Sequence, residues 1–113
     1  MKYGNKKIQL DGILFDSKKE ANRYCELKLL QCCGKITELQ LQKEFVLIPA
    51  QYEGKGKQRR CIERAVKYKA DFYYFDIDTG RYVCEDVKGY HTKEYILKRK
   101  MMLYMCGIRI FEI

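Results

Sequence analysis

The sequence predicts an α/β domain, a mixed sheet flanked by helices, and three observations predict it. Two segments carry helical periodicity with capping residues, "KKEANRYCELKLLQCC" and "KEYILKRKMMLYMC". Between them lie stretches rich in aromatic and β-branched residues, separated by turn signals. A last alternating segment, "IRIFEI", follows the second helix, which can then act as a crossover and make the final strand pair parallel. With 113 residues, the chain is expected to form a single domain, 1–113, large enough for one hydrophobic core.

Taken in order, "KKIQLDGILF" is weakly β-like with a turn at Asp11-Gly12. Ser17 is a helix N-cap, with Glu20 three residues on in the capping-box pattern. The first helix stops at Gly34, a natural C′ residue, and Ala21, Tyr24, Cys25, Leu27 and Leu30 form its apolar stripe. "EFVLIPAQY" reads as a strand cut short or pushed to an edge by Pro49. "EGKGKQRR" is a flexible loop suited to phosphate contact, or a solvated hairpin tip. "ERAVKYKADFYYF" and "RYVCEDVK" are two further strands. Thr92 caps the second helix, which ends at Gly107. The order is helix, three antiparallel strands, helix, strand.

Composition narrows the partners. Twenty-three Lys and Arg against fifteen acids give a net charge of +8, which favours a polyanion or marks a merely soluble basic protein. Six cysteines include no C-x-x-C, and His91 stands alone, so a zinc site is not indicated. Cys25, Cys32, Cys84 and Cys106 lie in apolar stretches, where free cysteine acts as a small hydrophobe. "MKYGNKKIQL" lacks the apolar core of a signal peptide, and no run approaches the roughly 20 apolar residues of a membrane span. A reduced, intracellular protein without a membrane partner is expected.

The chemistry concentrates in "ADFYYFDIDTGRYVCEDVKGY". If Ile77 to Gly80 form the hairpin loop, Phe75 pairs with Tyr82, Tyr73 with Cys84, and Asp71 with Asp86. Opposite residues point to one side with Cβ atoms roughly 4.5–5.5 Å apart, and Lys88 shares that side. Ala70, Phe72, Tyr74, Val83 and Val87 then make the core face, and Glu85 projects away from Asp86. Two carboxylates so close repel unless a divalent cation sits between them, and Mg²⁺ prefers oxygen ligands. Lys88 could orient or deprotonate a water, or steady charge on a phosphate. A one-residue slip in the loop would instead set Asp71 opposite Val87, and acid-x-Lys triplets also occur on solvated strands.

The pairing of "ADF" with "EDVKG" across a hairpin resembles the PD-(D/E)XK nuclease superfamily, whose core is αβββαβ, the restriction-endonuclease-like fold. Asp71 matches the first acid of that pattern, Asp86 the second and Lys88 the lysine; Ala70 stands where proline is usual. "KYGNKKIQLDGILFDSKKEANRY", "LQLQKEFVLIP", "YKADFYYFD" and "VCEDVKGYHTKEYILKRKMM" are similar to small phage and prophage proteins, formerly domains of unknown function, placed in that superfamily. "FDSKKEA" is also similar to the amino-terminal helix of TnsA-type and resolvase-like nucleases, where a helix glutamate completes the metal site. Glu20 is the matching position, and its cap and ligand roles compete for one carboxylate.

The resemblance implies a Mg²⁺-dependent DNA endonuclease, with Mn²⁺ able to substitute, acting in phage or prophage DNA processing or recombination in the bacterial cytoplasm. Asp71, Asp86 and Glu20 would bind metal, with the Val87 carbonyl as a further ligand, and Lys88 would assist the attacking water. Gln42 matches a glutamine often found near such sites, although a polar strand edge explains it equally well. Lys55, Lys57, Arg59 and Arg60 of the basic loop, His91, and Lys93 and Lys98 on the second helix are the candidate DNA contacts. A solvated surface is the alternative for each. The competing readings are a branched-DNA resolvase acting as a homodimer, or a non-catalytic nucleic-acid-binding regulator. Phage or host recombination proteins are the partners such roles would require.

Overall fold

The computed structural model describes residues 7–87 and 91–113. Its elements are β1 (Ile8–Leu10), β2 (Ile13–Phe15), α1 (Lys18–Cys32), β3 (Ile36–Ile48), β4 (Gln51–Glu53), β5 (Arg60–Glu63), β6 (Val66–Asp76), β7 (Arg81–Asp86), α2 (Lys93–Cys106) and β8 (Ile110–Glu112). The central sheet has the order β3-β6-β7-β8. β3 and β7 run antiparallel to β6, and β8 runs parallel to β7. The fold is therefore α/β, with a mixed sheet and two helices, as the crossover through α2 requires.

The helices lie on opposite faces. Glu85 reaches Arg23 of α1, whereas its neighbour Cys84 packs with Tyr95 and Met102 of α2. Successive strand residues point to opposite sides. One core gathers Phe15, Tyr24, Leu27, Phe72 and Tyr74 with Val83 and Val87. The other gathers Tyr68, Ala70, Cys84, Tyr95, Met102 and Ile110. The expected single core face is thus divided. Ala70 packs with the α2 cluster, because long paired strands twist and the ends of β6 meet different helices.

α1 begins where the capping box places it, with Ser17 Oγ accepting the Glu20 N–H at 3.1 Å, and Gly34 takes a left-handed φ of 76° beyond Cys33. Cys25, Cys32 and Cys106 are exposed, contrary to expectation, and only Cys84 is a buried thiol. The buried positions are Glu20, Ala21, Tyr24 and Leu27 on α1, and Tyr95 and Met102 on α2. α2 spans the expected residues, capped by Thr92 and ended by Gly107 at φ 67°.

β3 is longer than "EFVLIPAQY" suggests, starting at Ile36. Its polar alternation is the sign of a strand half-covered by α1, and shifts in its register against β6 absorb the extra length. Pro49 ends it. The basic loop is no free coil: β4 and β5 form an exposed hairpin around a short 3-10 turn, Gly56–Gln58. Gly54 is obligatory there, since a Cβ would sit 2.3 Å from the Gln58 carbonyl oxygen. Among the described residues, no helix is long and apolar enough to cross a membrane.

Candidate active site

β6 and β7 pair in the expected register, Phe75 with Tyr82 and Tyr73 with Cys84. The last paired step is Phe72 with Glu85. Just beyond it the Asp71 side chain takes over as acceptor, receiving the Val87 N–H on Oδ2 at 2.8 Å. The slipped register is thereby excluded.

Glu85 and Asp86 are both 2% exposed and point to opposite faces. Arg23 donates from Nε and Nη2 to the two Glu85 oxygens at 2.8 and 2.6 Å, and the Tyr74 hydroxyl donates to Oε2. Glu85 is a structural anchor, and its exclusion from the ligand set stands. On the other face, the Tyr68 hydroxyl donates to Asp86 Oδ2. Burial, then that contact with Asp86, holds the Tyr68 phenol above its ordinary range, so it remains a donor.

α1 delivers the third acid. The Ser17 side chain satisfies the Glu20 N–H, but the Glu20 carboxylate turns inward and accepts Gln42 Nε2 at 3.3 Å. The same nitrogen donates to Asp71 Oδ1 at 3.3 Å. Gln42 therefore stands between two carboxylates that would otherwise repel. Its backbone holds φ 54° in the left-handed region, a conformation unfavourable for a non-glycine residue by about 1–2 kcal/mol. Burial, with the charges of Asp71, Asp16 and Asp86, pushes the Glu20 carboxyl up to about 7, although the Asp16 backbone N–H opposes the shift. Glu20 on α1 thus feels the charges of acids on β6 and β7.

A family model described as "Protein of unknown function (DUF1064)" matches residues 1–108. The chain belongs to the DUF1064 family. No curated protein and no solved structure matches it.

Of the positions singled out in this DUF1064 chain, Glu20, Gln42, Asp71 and Val87 are joined by hydrogen bonds, and Asp86 acts on Glu20 through its charge. Lys88 lies outside the described residues. Lys55, Lys57, Arg59 and Arg60 sit on the β4–β5 arm, in a different sheet from the acids. There Arg59 stacks on Tyr52 with 4.1 Å to the ring centroid, and Arg60 pairs with Glu53 at 2.7 Å. His91 stacks on Tyr95 and lies 3.3 Å from Glu112, while Lys98 pairs with Glu94 at 3.1 Å. Lys93 opens α2 and is exposed.

Tyr68, Arg23 and Glu112 escape the sequence reading. Arg23 follows Glu20 at helical spacing, which places the two on neighbouring parts of one face. No local signal marks Tyr68 or Glu112, whose partners are distant in the chain. Glu112 accepts from the Tyr95 hydroxyl at 2.6 Å and Arg99 at 3.1 Å, and these contacts hold its carboxyl below the usual range.

Among the described residues no three His, Cys, Asp or Glu side chains are arranged as the ligand group of one ion. The donors are nevertheless of the right chemical kind for a hard cation. Mg²⁺ commonly takes one or two carboxylates and fills its octahedron with water and phosphate oxygens.

Proposed function

We propose that this DUF1064 chain is a metal-dependent DNA endonuclease of the PD-(D/E)XK type, hydrolysing phosphodiester bonds in phage or prophage DNA processing. The observation that supports this reading is the link from Glu20 through Gln42 to Asp71, whose other oxygen takes the Val87 N–H next to Asp86 at the end of the β6–β7 ladder. A purely structural sheet has little reason to aim the Glu20 carboxylate toward Asp71, whose charge raises the cost of ionising it.

Asp71 and Asp86 would hold Mg²⁺, with the Val87 carbonyl and Glu20 beside them. The ion would supply Lewis-acid polarisation of a phosphate oxygen and of a water. Asp71 and Asp86 each commit Oδ2 to a protein donor, so their carboxylates are oriented before substrate arrives. Glu20 would be the third carboxylate toward the ion, since the Asp71 and Asp86 charges that raise its affinity for a proton are those a divalent cation would offset. Lys88 is assigned by resemblance to the attacking water or to the charge on the scissile phosphate.

The arm and the +8 charge support nucleic acid as the partner. They equally suit a non-catalytic nucleic-acid-binding regulator, so the deciding test is turnover. Purified protein is incubated with linear, nicked, single-stranded and four-way DNA, with Mg²⁺, Mn²⁺ or EDTA. Cleavage that needs the metal is expected, with Asp71→Asn, Asp86→Asn and Lys88→Ala each reducing it about 100-fold or more while thermal melting stays cooperative. DNA binding with no cleavage under any metal would leave the regulator. Preference for four-way DNA by a dimer would identify a resolvase.

A further inference from the structure

We propose that Tyr68 is the positioning residue of the metal site, acting through Asp86. This rests on the nuclease reading and assigns a role to a residue that touches neither substrate nor metal in it. Asp71 and Asp86 are held in two different ways. Asp71 Oδ2 is fixed by a backbone donor, the Val87 N–H, which no side-chain substitution removes, while Gln42 Nε2 donates to Oδ1. Asp86 is held by a side chain, the Tyr68 hydroxyl, which comes from the far half of the neighbouring strand.

The surroundings make this contact more than a satisfied core polar group. Tyr68 and Asp86 are 4% and 2% exposed, so water cannot replace the hydroxyl if it is removed. Tyr68 is itself pinned, paired across the ladder with Phe45 and packed against Tyr95 with ring centroids 6.4 Å apart. Tyr95 is in turn bound to Glu112, which is the parallel-ladder partner of Asp86. The hydroxyl thus comes from a rigid aromatic frame that spans β6, α2 and β8. With Oδ2 engaged, the carboxylate cannot rotate freely, and the direction in which it presents its oxygens to a cation is set. Outer-shell donors of this kind commonly carry about 10–100-fold in metal affinity.

The test is Mn²⁺ binding by the full chain, followed by electron paramagnetic resonance and calorimetry, with no substrate present. Tyr68→Phe keeps the ring and should weaken Mn²⁺ about 10-fold or more. In an Asp86→Asn background the same change should do nothing further, since its route is through Asp86. Should Tyr68→Phe fail to fold, two analogues at position 68 replace it: para-aminophenylalanine retains a donor and para-fluorophenylalanine does not. Wild-type affinity in the first and weakened affinity in the second are expected. Wild-type affinity in both donor-free variants overturns the positioning role and leaves the nuclease reading intact. Absence of Mn²⁺ binding by the wild type overturns both.

Discussion

Glu20 carries two jobs with different parts of itself. Its backbone N–H is taken by Ser17, and its carboxylate meets both the Asp16 backbone N–H at the helix start and Gln42. The consequence is measurable. An acid whose pKa rises from 4.5 to about 7 on folding favours the folded state while protonated. That contribution is complete below the unfolded value and is lost as pH climbs through about 7. Glu20→Gln removes the titration. Its melting temperature should match wild type near pH 4, where the wild-type carboxyl is protonated in the fold, and exceed it by several degrees near pH 8. A constant difference across that range would mean that Glu20 titrates normally. The pairing of Tyr73 with Cys84 and of Phe75 with Tyr82 was one of two registers open to the hairpin, and it is the one the structure shows. The role of Tyr68 was not legible, because a tyrosine in an aromatic-rich strand carries no mark of the acid it will meet.

The elements are joined by one ion pair whose removal should be felt in the site. Arg23 of α1 grips Glu85 of β7, one residue before Asp86 and one helical turn after Glu20. Breaking a buried pair from one side leaves the other charge stranded, typically at about 3–5 kcal/mol. Arg23 is partly exposed and Tyr74 still donates to Glu85, so Arg23→Met should cost about 2–3 kcal/mol in urea unfolding. Arg23→Met with Glu85→Leu should recover much of that stability. Recovered stability without recovered cleavage would show that the pair sets the distance between Glu20 and Asp86. Helix limits, the four-residue hairpin loop and the αβββαβ order could be read from caps, glycines and alternation. The start of β3 could not, because its first half carries polar residues that a loop would carry as readily. Its strand conformation comes from pairing with β6.

At the scale of the molecule, the shape is extended, 52 × 38 × 27 Å with a radius of gyration of 17.0 Å, against about 13 Å for a compact chain of this size. The exposed β4–β5 arm and the long β3–β6 ribbon fit that dimension. The arm holds Lys55, Lys57 and Arg59 on a hairpin separate from the sheet that carries Asp71 and Asp86. Replacing those three with Ala should leave the melting temperature within a degree or two, since every residue of β4 and β5 is exposed. DNA affinity should fall at low salt, with the salt slope reduced by about 0.9 for each phosphate no longer neutralised. An unchanged slope would remove the arm from the DNA-binding surface. By itself the sequence determined the fold class and the capped helices and narrowed the hairpin to two registers, because these depend on neighbours a few residues apart. Only the tertiary structure decided that Glu20 reaches Gln42, that Ala70 changes core, and that Tyr68 finds Asp86. Those outcomes depend on sheet twist and on contacts between distant segments, which local chemistry permits but does not choose.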